Sequence, residues 1–209
     1  MAVITISRQY ASGGSSIAGL VARRLEWTLI DNEFVDRVAA KAGVPAAEVA
    51  QREERVAGLM ERLARALAVS SPELFVTTGE TPTTGPDKED ELVKMTERVI
   101  MEAAQHDHVV LVGRGAPAYL AERAGALHVY IVAPRDVRVT RAMERLGSSR
   151  KDAEKALDDI DRGRREYVRQ YYGREWDDPA NYDLVINTGK FTYDAAADVI
   201  VRAAGGIAG

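Results

Sequence analysis

Apolar residues along this chain fall into two patterns that alternate from end to end. Short unbroken runs mark strands, and stretches whose apolar positions recur at helical spacing mark helices. The first run, Ala2–Ser7, predicts a strand. Ile17, Leu20, Val21 and Leu25 then recur on one face and predict a helix over Ser16–Trp27. "TLID" predicts a short second strand ending in Asp31, and "NEFVDRVAAKAG" a helix closed by Gly43 at its C′ position. Pro45–Val69 reads as further helix, full of Ala, Arg and Glu, with no strand signal.

The rhythm breaks over Ser70–Asp90, "SSPELFVTTGETPTTGPDKED", which is rich in Thr, Pro and Gly. Such a segment sustains neither period and predicts a mobile loop. Order resumes with an amphipathic helix over Glu91–Gln105, the strand "HVVLVG", the turn "RGAPA" and a short helix to about Arg123. "LHVYIVA" predicts the next strand. A helix begins with Pro134 at its N1 position, where proline is welcome, and runs to about Leu146. Lys151–Tyr172 is a heavily charged helix, "DLVIN" a last buried strand, and Tyr193–Ala204 a closing helix.

Strands alternating with helices imply a parallel sheet covered on both faces, an α/β fold of three layers. The chain's 209 residues suit one such domain carrying a small insertion. Its formal charge is −4, so the whole molecule is no polycation searching for a nucleic-acid backbone. Any anion must meet a local cluster. The absence of cysteine excludes disulfides, thiolate zinc sites and cysteine nucleophiles, and is compatible with a reducing cytosol. Three histidines, two of them in "QHDHVV", make no convincing metal site. The chain enters a strand at once, without a basic region and apolar run, and no segment reaches about 18 consecutive apolar residues. The expectation is a soluble cytoplasmic protein with no membrane or nucleic-acid partner; nothing opposes a homo-oligomer.

In open parallel sheets ligands bind beyond the C-terminal ends of the strands. After the first strand stands "ITISRQYASGGSSIAG", which has the strand–turn–helix layout of a phosphate-binding loop, G-x-x-x-x-G-K-[ST], without its lysine. Laid on that signature without gaps, Arg8 falls at the first glycine, Gly13 at the second, Gly14 at the lysine and Ser15 at the magnesium-binding hydroxyl. A register one residue later puts Ser15 at the lysine. Neither supplies a lysine, although Arg8 offers a cation from the other side of the loop. Backbone amides over Ser12, Gly13, Gly14, Ser15 and Ser16 would face a phosphate at the positive end of the helix. The bland alternative is a Gly-Ser turn before a helix.

Asp31 ends the second strand, where it can order a magnesium-bound water or the acceptor, or else cap the next helix. Arg114 follows the third strand in "GRGA" and can fork onto a second phosphate, or sit in a surface ion pair. In "DDIDRGRREYVRQYYGREWDDP", Arg162, Arg165 and Arg169 share one helical face with Tyr172 near its continuation. That cationic stripe suits a lid closing over a polyphosphate. A solvated helix with ion pairs to Asp158, Asp161 and Glu166 is the alternative.

"ITISRQYASGG", "LIDNEF", "VVLVGRGA", "IVAPRDVRVTR" and "RREYVRQYYGREWDDPANYDLVINT" together resemble the cytidylate kinase-like family, a divergent branch of P-loop nucleoside monophosphate kinases. The resemblance spans nearly the whole chain. It implies a P-loop NTPase-like core with a five-stranded parallel sheet, a monophosphate-binding helical insertion over about 45–107 and an arginine-bearing lid over about 148–180. It also implies ATP with Mg2+ as donor and CMP or a related monophosphate as acceptor. Carried over residue by residue, Arg114 and Arg138 match arginines near the phosphates, Asp31 and Arg37 remain on the acceptor side, and Arg162 and Arg165 are candidate lid arginines. This chain departs from the family at Ala11, where glycine is usual, and near Ser15 and Ser16, where an arginine is common. "DNEFVDR" also replaces the base-reading stretch of true cytidylate kinases.

Two functions compete on these residues. Asp31, Arg114 and the lid arginines favour a magnesium-dependent phosphotransferase, with Arg8, Asp31, Arg162 and Arg165 as its catalytic residues and Ser15 at the metal. The missing lysine favours a nucleotide-binding regulatory protein that transfers nothing. A helical interaction module over Pro45–Val69 has amphipathicity alone behind it.

Overall fold

The computed structural model describes residues 2–31, 86–106 and 108–207. Arg37, the helices expected between Asn32 and Val69, and the Thr/Pro/Gly loop as far as Gly85 lie outside the described residues. The chain divides into two compact units, one of Met1–Leu29 with His108–Gly209 and one of Ile30–Asp107.

Five strands form the sheet: β1 (Val3–Arg8), β2 (Thr28–Asp31), β3 (Val109–Val112), β4 (Ala126–Val132) and β5 (Leu184–Asn187). Their order is β2-β3-β1-β4-β5, with β1 parallel to β3 and β4, and β4 parallel to β5. β1 therefore lies at the centre, its six residues all buried. A strand buried on both faces needs apolar or hydrogen-bonded side chains on each, and its alternation divides them cleanly. Ile4 and Ile6, with Leu127, Val129 and Ile131 of β4, join Ile17 and Val21 of α1 (Gly14–Leu25) and Ile200 of α6 (Tyr193–Ala204) in one core. On the opposite face, Thr5 Oγ1 lies 2.7 Å from His128 Nδ1. There too Ser7 Oγ accepts a hydrogen bond from the buried Trp176 indole at 2.8 Å. Burying each such aliphatic side chain is worth about 1.5–3 kcal/mol, so this core dominates the fold's stability.

Between β3 and β4 stands the single turn α3 (Ala116–Tyr119). After β4 come α4 (Arg135–Leu146) and α5 (Arg150–Tyr172), which bury Val139 and Ala142 against Ala153, Leu157 and Ile160, with Tyr10 in the same cluster. Pro134 is the N-cap of α4 rather than its first residue, because its ψ of 144° is still extended. Ser149 caps α5 by accepting the Asp152 amide at 3.2 Å.

In the second unit, α2 spans Pro86–Gln105. It starts five positions before Glu91, so the expected loop reaches too far; a proline is welcome in the first turn of a helix. Among its described side chains Val93, Thr96, Val99, Ile100, Ala103 and Ala104 are buried, at helical spacing.

Candidate phosphate-binding site

The turn after β1 is built from the inside. Gln9 keeps the sheet ladder by donating its amide to Ile131 O at 3.0 Å, and its side-chain oxygen accepts the Ala133 amide at 3.1 Å. The chain then reverses through Ala11, at φ 58°, and Gly13, at φ 91°. α1 begins at Gly14 with no side-chain cap and no acid in its first turn. Its first intrahelical bond runs from the Ile17 amide to Gly13 O at 3.0 Å, so the amides before it face out of the helix start. Gly14 and the buried Ser15 are thus the first two residues of α1.

Not every expected amide is available. Ser12 donates its amide to Gln9 O at 3.2 Å and its hydroxyl to the same carbonyl at 2.8 Å. Its own carbonyl accepts from Thr188 Oγ1 at 2.7 Å. Ser12 is thus a brace inside the turn, its amide and hydroxyl both turned to Gln9 O.

Arg8 occupies the space a lysine would need. A Cβ added to Gly14 would lie 2.5 Å from Arg8 Cβ and 2.8 Å from Arg8 Cγ. The arginine stem then continues to Gly113, whose added Cβ would lie 3.2 Å from Arg8 Cζ. The guanidinium of Arg8 therefore sits at the exit of β3, not back over the turn. At that exit Gly113, Arg114 and Gly115 take φ values of 75°, 58° and 66° in succession. Three consecutive left-handed residues are costly for an arginine, roughly 1–2 kcal/mol, and such strain gathers at working sites. Gly115 is required twice over, because the Tyr172 ring packs where its Cβ would be.

Three further arginines reach the turn from behind. Arg138 is buried, donates to Asp161 Oδ2 at 2.6 Å, and also bonds Ala133 O at 3.2 Å and Tyr10 O at 3.3 Å. Asp161 Oδ1 accepts the Tyr10 amide at 2.8 Å. Arg164 donates to Arg8 O at 2.7 Å, and Arg141 holds Thr188 Oγ1 and O, both at 2.9 Å. Arg138, expected on the acceptor side, engages the loop's underside through its Nε and Nη1.

The stripe expected to form a lid is answered by acids. Arg162 pairs with Asp159 one turn back, Arg165 Nε lies 2.9 Å from Asp177, and Arg169 lies 3.9 Å from Glu175. Arg165 also lies over the Trp176 ring, 5.8 Å from its centroid. The arginine of α5 that touches the loop is Arg164, which the stripe omits. Its signal was in the pattern: Ala153, Leu157, Ile160, Asp161 and Val168 are the buried face of α5, and Arg164 falls on the same face. A charge at an apolar-face position announces a buried partner. Asp31 ends β2 and is buried.

A five-stranded parallel sheet in the order β2-β3-β1-β4-β5, whose central first strand runs into a glycine turn and helix, is the P-loop NTPase-like fold. The shikimate kinase of Acinetobacter baumannii shares it, at 14% identity and a TM-score of 0.50 over 97% of this chain and 92% of that one. A protein of Eubacterium ventriosum superposes with a TM-score of 0.68 at 22% identity, over 98% of this chain and 99% of that one. The chain belongs to the cytidylate kinase-like family, whose model matches residues 3–190. A cytidylate kinase of Staphylothermus marinus is 31% identical over 150 residues, 69% of this chain and 77% of the relative. The uronate isomerase of Corynebacterium glutamicum is 34% identical over 111 residues, 53% of this chain. The chain spans only 21% of that isomerase's length.

Proposed function

We propose that the chain is an ATP-dependent phosphotransferase whose acceptor is a nucleoside monophosphate or a close relative. One observation carries this reading: an uncapped glycine turn at the end of β1 stands beside the strained Gly113–Arg114–Gly115 turn at the end of β3, with the Arg8 guanidinium between them. Phosphoryl transfer asks a protein chiefly to hold two anions in line and neutralise their charge. The first turn offers amides to the donor phosphates, and Arg114 offers a fork to the acceptor phosphate.

Among the described residues no cluster of three or more His, Asp or Glu side chains forms a protein-built metal site. The magnesium implied by the family resemblance keeps most of its waters and is bound largely through substrate phosphates. Ser15, buried at the second position of α1, has the register of the hydroxyl that would hold it; the ion would neutralise charge on the phosphates. Asp31 and Arg37 stand as acceptor-side groups in this reading, and Arg162 and Arg165 as lid cations that exchange Asp159 and Asp177 for phosphate on closure. No described helix is long and apolar enough to cross a membrane, and the reading places the protein in the cytoplasm.

Gly14 at the lysine position favours a second reading, a nucleotide-binding regulator without turnover. A coupled ADP-release assay over a panel of monophosphates and nucleosides, run beside a nucleotide titration, separates them. Turnover on one acceptor class supports the kinase. Binding without turnover on every acceptor leaves the regulator.

A further inference from the structure

The loop departs from the ordinary phosphate-binding signature at two positions. Arg8 stands at the first glycine and Gly14 at the lysine, while Gly13 and Ser15 match and Gln9–Ser12 are the free positions. In the fold these two departures are one: the Arg8 stem lies where a side chain on Gly14 would begin. Arg8 as placed requires a glycine at position 14. A lysine at position 14 cannot be built over Arg8, and Arg8 cannot lie across the helix start unless position 14 lacks a Cβ.

We propose that Arg8 and Gly14 are a charge transposition, in which the loop's phosphate-binding cation has moved from its seventh position to its first. This rests on the phosphotransferase reading above and adds to it where the charge acts. A lysine at position 14 would rise from the first turn of α1 over the donor phosphates. Arg8 instead rises from the end of β1, passes beneath Gly14 and delivers its guanidinium at Gly113, next to Arg114. The cation therefore serves the phosphate nearest the acceptor side, the group that leaves its bridging oxygen on the nucleoside diphosphate and bonds to the acceptor oxygen. Arg164 and the sheet fix the backbone from which it rises, through the Arg8 carbonyl at 2.7 Å and the β1–β4 register of Arg8 against Ile131. A planar guanidinium presents two parallel donors, so it can bridge two phosphate oxygens that a lysine would contact one at a time.

The test is a swap. Binding of a non-hydrolysable ATP analogue is titrated calorimetrically, and the ligand-free melting temperature recorded, for the parent, Arg8→Gln, Arg8→Lys, Gly14→Lys and the double variant Arg8→Gly with Gly14→Lys. Arg8→Gln is expected to bind about 10- to 100-fold more weakly with little change in melting, and Arg8→Lys to fall between it and the parent. Gly14→Lys alone is expected to melt lower and bind poorly, because its Cβ meets Arg8. The double variant regenerates the ordinary signature and is expected to regain most of that loss, a coupling that independent sites would not show. Arg8→Gln binding like the parent while melting lower would make Arg8 a brace and overturn the transposition alone. A double variant no better than Gly14→Lys would overturn it as well. A parent that binds no nucleotide would instead bring down the phosphotransferase reading, and the transposition with it.

Discussion

Arg138 and Asp161 form a buried ion pair, 2.6 Å between Nη1 and Oδ2, and the other oxygen of the same carboxylate accepts the Tyr10 amide at 2.8 Å. One acid thereby ties α5, α4 and the phosphate-type turn together. Both side chains are less than a tenth exposed, so neither charge can fall back on water. Removing one partner of such a pair is far more costly than its net contribution, because the survivor stays buried and charged.

Asp161→Asn is therefore expected to destabilise the chain by about 3–5 kcal/mol, read from the urea midpoint. Arg165→Ala, whose pair with Asp177 is nearly half exposed on both sides, should cost less than about 1 kcal/mol. Equal losses for the two variants would show that the Tyr10 anchor carries no special weight.

Arg114 belongs to the turn after β3, not to the glycine turn that opens α1. Arg114→Ala should weaken the monophosphate acceptor by about 10-fold or more while leaving ATP affinity within about twofold. Separate calorimetric titrations of the two ligands test this, and parallel losses would move Arg114 off the acceptor side.

Gly115 and Gly147 share nearly the same left-handed φ, 66° and 60°, but only Gly115 has a ring packed where a Cβ would go. Gly147→Ala should cost about 1 kcal/mol, the backbone strain alone. Gly115→Ala should cost at least about 2 kcal/mol, because the Tyr172 ring must also move. Thermal unfolding of both variants gives the difference, and equal shifts would mean the ring yields freely.

Burial holds the His128 imidazole below its ordinary pKa of 6.5, against the upward pull of nearby Asp183 and the Leu120 carbonyl; Arg174 adds to the lowering. The folded chain then resists a proton that the unfolded chain accepts below 6.5. Stability from this group is fully present above that value and declines as the pH falls toward the lowered pKa. Chemical unfolding of the parent and His128→Gln between about pH 8 and about pH 5 should show the parent losing stability relative to the variant in acid. Parallel curves would mean that the imidazole protonates equally well in the folded chain.

The order of the described strands and helices was legible in the sequence because each element carries its own period: the Ile4 and Ile6 alternation, the Ile17–Val21 helical face, and the full extent of Tyr193–Ala204. The motifs of the family resemblance were legible too, but their purpose was not. Ser7 and Gln9 of "SRQ" anchor Trp176 and the end of β4, and Asp183 and Thr188 of "NYDLVINT" hold the His128 amide and the Ser12 carbonyl. These contacts join residues more than fifty positions apart, and no local spacing encodes them. By itself the sequence determined that a glycine turn without a lysine follows the first strand, and that arginines abound near it. Only the tertiary structure decided which arginine does what. Arg138 and Arg164 turn inward because α4 and α5 present them on buried faces, where a charge must find a partner. Arg162 and Arg165 lie on the outer face and meet acids there. Arg8 takes the room that Gly14 leaves, because two side chains cannot fill one volume.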